Sequence, residues 1–156
     1  MSDLRTVLVL NGPNLNLLGS RQPEVYGSST LADVEQLCLA EVTRLGLTLD
    51  FRQSNSEGEL VDWIQQGGAE VAAGRCIGAV LNPAAYGHTS IALPDAISGA
   101  GLPVVEVHIS NVHRREPFRH HSVLSPVAAG IVVGFGVDGY ALAIAGLARR
   151  AGLPPA

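Results

Sequence analysis

Two side chains in one loop have types suited to proton chemistry. Arg21 and Tyr26 stand five positions apart within residues 11–26, NGPNLNLLGSRQPEVY. A phenol has an ordinary pKa near 10 and is a poor base at neutral pH. A guanidinium close to a phenol favours the phenolate, which is a competent base. On type and spacing alone the pair is equally compatible with a surface Arg and a packed Tyr. Asn14 and Asn16 add amide donors and acceptors, although an Asn in a loop often bonds its own backbone. Irregular loops this long in compact domains, about 18 residues, usually carry function.

A second group lies in Val104-Val105-Glu106-Val107-His108-Ile109-Ser110. Period 2 puts Glu106, His108 and Ser110 on one side of a strand. Parallel strands covered on both faces read as apolar runs, so two ionisable groups there need partners. They can partner each other: a carboxylate on one ring nitrogen orients an imidazole and stabilises its protonated form. His108 is then a candidate general acid, set against a satisfied buried pair with no chemistry. A third group is Asn82-Pro-Ala-Ala-Tyr-Gly-His-Thr-Ser. Asn82 closes an apolar run, where its amide can reach a ligand. Thr89 or Ser90 can cap the following helix, leaving His88 to face the site. Arg114, Arg115, Arg119, His120 and His121 form a short basic cluster that fits a rim around an anionic substrate.

The elements that must position these groups alternate between strand and helix. Thr6–Asn11 reads as a buried strand, followed by a long loop over residues 12–29. Thr30 is an N-cap, and residues 31–45 carry apolar positions at helical spacing. Residues 47–52 alternate like a strand. Residues 57–66 read as a helix stopped by Gly67-Gly68. Cys76–Asn82 is a third strand, then a helix in which Pro94 either kinks the chain or begins the regular part. Residues 103–109 and 130–134 are the fourth and fifth strands, and residues 137–150 the closing helix. This alternation predicts a single 1–156 domain with a five-stranded parallel sheet in flavodoxin-like order 2-1-3-4-5 and helices on both faces. Ligands in such folds bind beyond the carboxyl ends of the strands, at the switch between strands 1 and 3. The loops after Asn11, Asn82 and Ile109 should therefore surround one site.

Composition narrows the chemistry. Of 156 residues 47% are apolar and 15% charged, which suits one packed core. No apolar run approaches the roughly 20 residues of a membrane helix. The start, MSDLRTVLVL, does not read as a signal peptide, so a cytoplasmic protein is expected. Cys38 and Cys76 have no metal or redox spacing and read as reduced, buried thiols. Net charge of −4 argues against a nucleic-acid partner. All ten basic residues are Arg. Without Lys there is no side-chain amine for a Schiff base and no Walker phosphate loop. His120 and His121 are adjacent and lack other ligand spacing, so no metal is expected. Gly134-Phe-Gly-Val-Asp-Gly matches GxGxxG, but no second βαβ unit follows it. Its glycines are expected to permit a tight turn and close helix packing. A flavin- or dinucleotide-binding module remains the alternative to an enzyme, and a bound chromophore in purified protein would favour it. A receiver domain is excluded by the absence of Lys and of clustered Asp after strand 1.

Three long motifs in order resemble the type II 3-dehydroquinate dehydratases: NGPNLNLLGSRQPEVYG (11–27), NPAAYGHTSIALPDA (82–96) and VEVHISNVHRREPFRHHS (105–122). The resemblance covers nearly the whole chain. It also accounts for the missing Lys, because the type I enzymes use a Lys imine and the type II enzymes do not. It implies anti elimination of water from 3-dehydroquinate through an enolate, giving 3-dehydroshikimate, without a cofactor or metal. Tyr26 matches the base at C2, and Arg21 the residue that activates it and stabilises the transition state. His108 matches the acid at the C1 hydroxyl, with Glu106 supporting it. Asn14 matches the group that holds the enolate oxygen through a water. Asn82, Ile109 and Ser110 match substrate-binding positions, the last two mainly through backbone N–H groups on the carboxylate. His88 and Arg119 match positions on the ring hydroxyls. Asp95 matches a residue that enters the site from a neighbouring subunit. The family assembles as a dodecamer of four trimers. This chain departs from the usual pattern at Ala84, Gly87 and Pro94, where the family commonly has Gly, Thr and often a charged residue. Ala84 is expected to be strained if its backbone needs positive φ.

Overall fold

The computed structural model describes residues 3–155. Residues 1, 2 and 156 lie outside it, so the extremes of the expected 1–156 domain are outside the described residues. Five strands, β1 (Thr6–Asn11), β2 (Thr48–Gln53), β3 (Cys76–Asn82), β4 (Val104–His108) and β5 (Gly130–Val133), form one sheet in the order β2-β1-β3-β4-β5. All pairings are parallel, as the alternation of elements requires. The helices are α1 (Pro23–Tyr26), α2 (Leu31–Arg44), α3 (Glu57–Ala72), α4 (Ala92–Ala100) and α5 (Asp138–Arg150). Among the described residues no helix is long and apolar enough to cross a membrane.

The two faces of the sheet bury different helices. Val7, Val9, Val80 and Val107 pack with Val34, Cys38 and Val42 of α2 and Ala143, Ile144 and Leu147 of α5. Leu8, Leu10, Ala79 and Leu81 face Leu60 and Ile64 of α3 and Leu93 and Ile97 of α4. Successive residues of β1 thus serve opposite cores, and its run reads as uniformly apolar for that reason. Both thiols are buried, and burial pushes Cys38, with Glu35 nearby, up to about 12.

Most expected boundaries hold within one or two residues. Thr30 caps α2 in a full capping box: its hydroxyl accepts from Asp33 N–H, and the Asp33 carboxylate accepts from Thr30 N–H. Pro94 sits in the first turn of α4, where a missing N–H costs nothing, and begins the regular helix. Ser90 Oγ accepts from Leu93 N–H at 3.1 Å.

Two expectations are corrected. Gly67-Gly68 does not stop α3, which runs on to Ala72. Helix propensity penalises each Gly by about 1 kcal/mol relative to Ala. Here both are buried, and a Cβ on Gly68 would stand 2.7 Å from Ala100 Cβ, with the Ala100 carbonyl closer still. The pair lets α3 approach α4, and packing outweighs propensity. The loop over residues 12–29 is also not wholly irregular: it contains a 3-10 turn at Leu15–Leu17 and the short α1.

Candidate active site

The carboxyl ends of β1, β3 and β4 open into one cleft. Its walls include Asn14, Arg21, Tyr26, Asn82, His88, His108, Ile109, Ser110 and Arg119, with Leu15, Leu18, Ala84 and Val112 as apolar lining. β1 and β3 turn away together here. Gly12 N–H donates to the Asn82 carbonyl at 2.8 Å, and a Cβ at Gly12 would lie 2.8 Å from the Pro83 carbonyl carbon, so only Gly fits. Asn14 adopts a left-handed backbone, φ 68°, held by its N–H donating to Asn55 Oδ1 at 2.9 Å. Asn55 also accepts from Gln53 at Oδ1 and from the Tyr86 hydroxyl at its carbonyl. No local signal marked Gln53 and Asn55, because they act through the loop after β2. Asn16 is exposed and outside the cleft wall.

Beneath the cleft floor a buried relay joins three elements. The Tyr140 hydroxyl, from α5, donates to Asn11 Oδ1 at 2.7 Å and accepts from Asn82 Nδ2 at 2.8 Å. Burial pushes this phenol well above its ordinary range, so it serves as a neutral donor. Asn82 Oδ1 accepts from Ala84 N–H at 3.1 Å, which fixes the amide orientation. Ala84 has φ 50°, the positive value at which an alanine is strained.

Tyr26 lies at the end of α1 with its hydroxyl 2.7 Å from Nη1 of Arg115, which donates to it. The guanidinium carbons of Arg115 and Arg21 stand 5.2 Å and 5.8 Å from the ring centroid. The spacing along the chain pairs Tyr26 with Arg21, whereas the structure puts Arg21 over the ring and Arg115 on the oxygen. Between Arg21 and Tyr26 the chain makes a left-handed turn at Gln22 and the turn of α1, which stacks one side chain over the other. Arg115 belongs to the basic cluster, and only that membership marked it. Of that cluster Arg115 and Arg119 reach the wall, whereas Arg114, His120 and His121 do not. His120 Nε2 pairs with the Arg115 carbonyl at 2.9 Å, and Arg119 Nε donates to Glu116 at 2.8 Å.

On β4, Glu106 and His108 form the pair their spacing implies, with Nε2 to Oε2 at 2.6 Å. Glu106 is fully buried. Burial alone raises a carboxyl pKa, but hydrogen bonds from His108, Ser122 and Ser125 outweigh it and hold Glu106 below its ordinary range. An ionised carboxylate only accepts, so His108 Nε2 carries the proton. Nδ1 is the ring nitrogen left to the cleft. His88 stacks nearby, ring centroids 6.0 Å apart, and its Nδ1–H donates to the His121 carbonyl at 2.8 Å.

Asp95 is the expected site residue that this chain does not bring to its own cleft. It is exposed on α4, in a shallow groove shared with α3 and lined by Gly68, Ala69, Ala92 and Gly99. The GxGxxG segment also behaves as a turn. Gly134 and Gly136 have positive φ, and their N–H groups donate to the His108 and Ile109 carbonyls at 3.1 and 3.0 Å. Those amides are committed to the end of β4 and the residue after it rather than offered to a phosphate.

The arrangement provides a hydrogen-bonded phenol, a buried carboxylate–imidazole pair and cationic walls in one cleft. A model of the family described as dehydroquinase class II matches residues 5–148. A 3-dehydroquinate dehydratase of Acidovorax sp. (strain JS42) is 67% identical over 145 residues, 93% of this chain and 98% of that one. One of Streptomyces coelicolor is 60% identical over 147 residues, 94% of this chain and 90% of that one. The crystal structure of type II dehydroquinase from Propionibacterium acnes superposes with TM-score 0.87 at 42% identity, covering 95% of this chain and 99% of that one.

Proposed function

The chain belongs to the class II dehydroquinase family, and on that premise we propose that it is a hydro-lyase dehydrating 3-dehydroquinate to 3-dehydroshikimate. The observation that carries this reading is the presence in one cleft of a phenol bonded by a guanidinium and an imidazole bonded by a buried carboxylate. These are the base and the acid that an elimination needs.

Tyr26, as phenolate, takes the proton from C2, next to the C3 ketone. That proton is removable only if the developing enolate is stabilised. Asn14 does this through a bridging water, and preorganised donors of this kind are worth ~10²–10³-fold each. His108, as imidazolium with Nε2–H kept on Glu106, gives its Nδ1 proton to the departing C1 hydroxyl, so water leaves and a neutral imidazole remains. Acid and base contribute ~10²–10⁴-fold each. Arg115 and Arg21 supply positive charge on the base side. Glu106 keeps His108 oriented. Asn82 and the N–H groups of Ile109 and Ser110 hold the carboxylate, and His88 and Arg119 the ring hydroxyls. No Lys is present to form an imine, so the ketone reacts as such.

The exposed Asp95 on α4 fits the contact expected from a neighbouring subunit, in a homo-oligomer of four trimers. The same reading makes the chain one catalytic domain, acting in the cytoplasm in aromatic biosynthesis, on a small molecule and without metal, organic cofactor, membrane or nucleic acid.

Purified protein mixed with 3-dehydroquinate should develop the absorbance of a conjugated enone without added metal, and should stay active after borohydride treatment with substrate. No enone signal, or inactivation with a covalent adduct, would refute the assignment.

A further inference from the structure

Among the described residues the His108 ring has one hydrogen-bond partner, Glu106, and that partner is itself held by a different part of the chain. Ser122 Oγ donates to Glu106 Oε2 at 2.6 Å, the oxygen that also accepts from His108. Ser125 Oγ donates to Oε1 at 2.7 Å. Both carboxylate oxygens are therefore engaged by a segment that follows β4 and precedes β5. The segment is itself hydrogen-bonded in place. Ser122 Oγ accepts from Leu124 N–H and Ser125 N–H at 3.2 and 3.3 Å, and Val123 N–H donates to the Gly87 carbonyl at 2.8 Å. One residue earlier, the His121 carbonyl takes the Nδ1 proton of His88. Residues 121–125 thus touch the supports of both imidazoles in the cleft.

We propose that Ser122 and Ser125 are positioning residues for the proton-donating step, holding the Glu106 carboxylate so that the His108 imidazolium keeps Nε2–H on Glu106 and turns Nδ1–H to the departing hydroxyl. This rests on the reading of His108 as the general acid. Without the serines the carboxylate keeps a single donor, in a fully buried place where an incompletely paired anion is costly. It then either rotates or takes up a proton. A protonated Glu106 can donate, and the imidazole loses the acceptor that sets its tautomer and tilt. Neither serine needs to touch substrate. The positions in register with Glu106 on the adjacent strands are Leu81 of β3 and Ile131 of β5, both apolar, and the following segment faces it with Ser122 and Ser125, so among the described residues His108 is the titrating group against it.

The experiment compares Ser122→Ala, Ser125→Ala, the double variant and Ser125→Thr, each in the wild-type and Glu106→Gln backgrounds. Hydrogen bonds to a charged group are strong enough that each alanine should lower kcat by roughly 10-fold with KM little changed. Ser125→Thr, which keeps the hydroxyl, should recover most of it. In Glu106→Gln the same alanines should cost no further kcat. The Glu106 carboxyl ¹³C resonance should titrate at higher pH in each alanine variant. A merely structural role would lower Tm alike in both backgrounds and leave that titration in place. Alanine variants with wild-type kcat, or an equal loss in the Glu106→Gln background, would overturn the proposal. A wild-type protein that does not turn over 3-dehydroquinate would instead remove the functional reading beneath it, so the two failures are distinguishable.

Discussion

Replacing Arg115 with Ala tests the hydrogen-bond partner of Tyr26, the proposed base. Arg115 Nη1 lies 2.7 Å from the Tyr26 oxygen, and the side chain is only 13% exposed. Two unit charges about 4 Å apart interact by ~4 kcal/mol at an effective dielectric of ~20, an upper figure for a partly buried pair. Measured hydrogen bonds to charged groups cluster lower, at ~1.5–3 kcal/mol. The lower range sets the expectation, because cleft water and Arg21 remain to screen the phenolate. At ~1.4 kcal/mol per factor of ten, Arg115→Ala should cut kcat by roughly 10- to 150-fold. The loss should fall on kcat rather than KM, since Arg115 raises the fraction of Tyr26 held as phenolate before the proton is taken and does not hold substrate. Arg115→Lys should recover little, because an ammonium lacks the fork that lets Arg contact both ring and oxygen. Initial rates of enone formation over a range of 3-dehydroquinate concentrations measure both constants. A kcat unchanged in Arg115→Ala would refute the assignment and return the phenolate to Arg21 alone.

Other outcomes follow from the same geometry. Glu106 has a folded-state pKa held below its ordinary value of 4.5, so its ionised form stabilises the fold fully above that pH and loses the contribution as pH falls below it. Urea unfolding of wild type should therefore weaken from pH 5 toward pH 3 more steeply than that of Glu106→Gln; parallel curves would contradict the claim. Tyr140→Phe leaves Asn11 Oδ1 and one Asn82 N–H unpaired in a buried place, and should destabilise by about 1–3 kcal/mol in chemical denaturation. Gly68→Ala opposes two effects. Helix propensity favours it by ~1 kcal/mol, but the new Cβ meets Ala100, and overpacking costs ~1–3 kcal/mol, so a net loss of stability is expected and a gain would remove the close α3–α4 approach as the reason for the glycine.

Much of the fold was legible in one dimension because the determining forces are local or periodic. The runs at Thr6–Asn11 and Cys76–Asn82 are apolar on both faces, as strands covered on both sides must be, and both were bounded correctly. Thr30 announced its helix through its own capping chemistry. The Glu106–His108 pair was legible too, since period 2 puts both on one side of β4. Even the strain at Ala84 could be expected, from a residue standing where the family commonly has Gly.

What the chain alone could not decide was which groups meet. Arg115 and Tyr26 are 89 residues apart, and among ten arginines nothing local selects the one that reaches the phenol. Tyr140 bridges Asn11 and Asn82 only because α5 packs beneath the ends of β1 and β3. Gly67 and Gly68 looked like a helix stop because propensity is a property of the isolated helix; α4, which overrules it, is visible only after packing. Residue types and periods thus determined the elements and the candidate chemistry of this protein. Its tertiary structure decided the partners, since a hydrogen bond of 2.7 Å depends on how separate elements pack and not on their spacing along the chain.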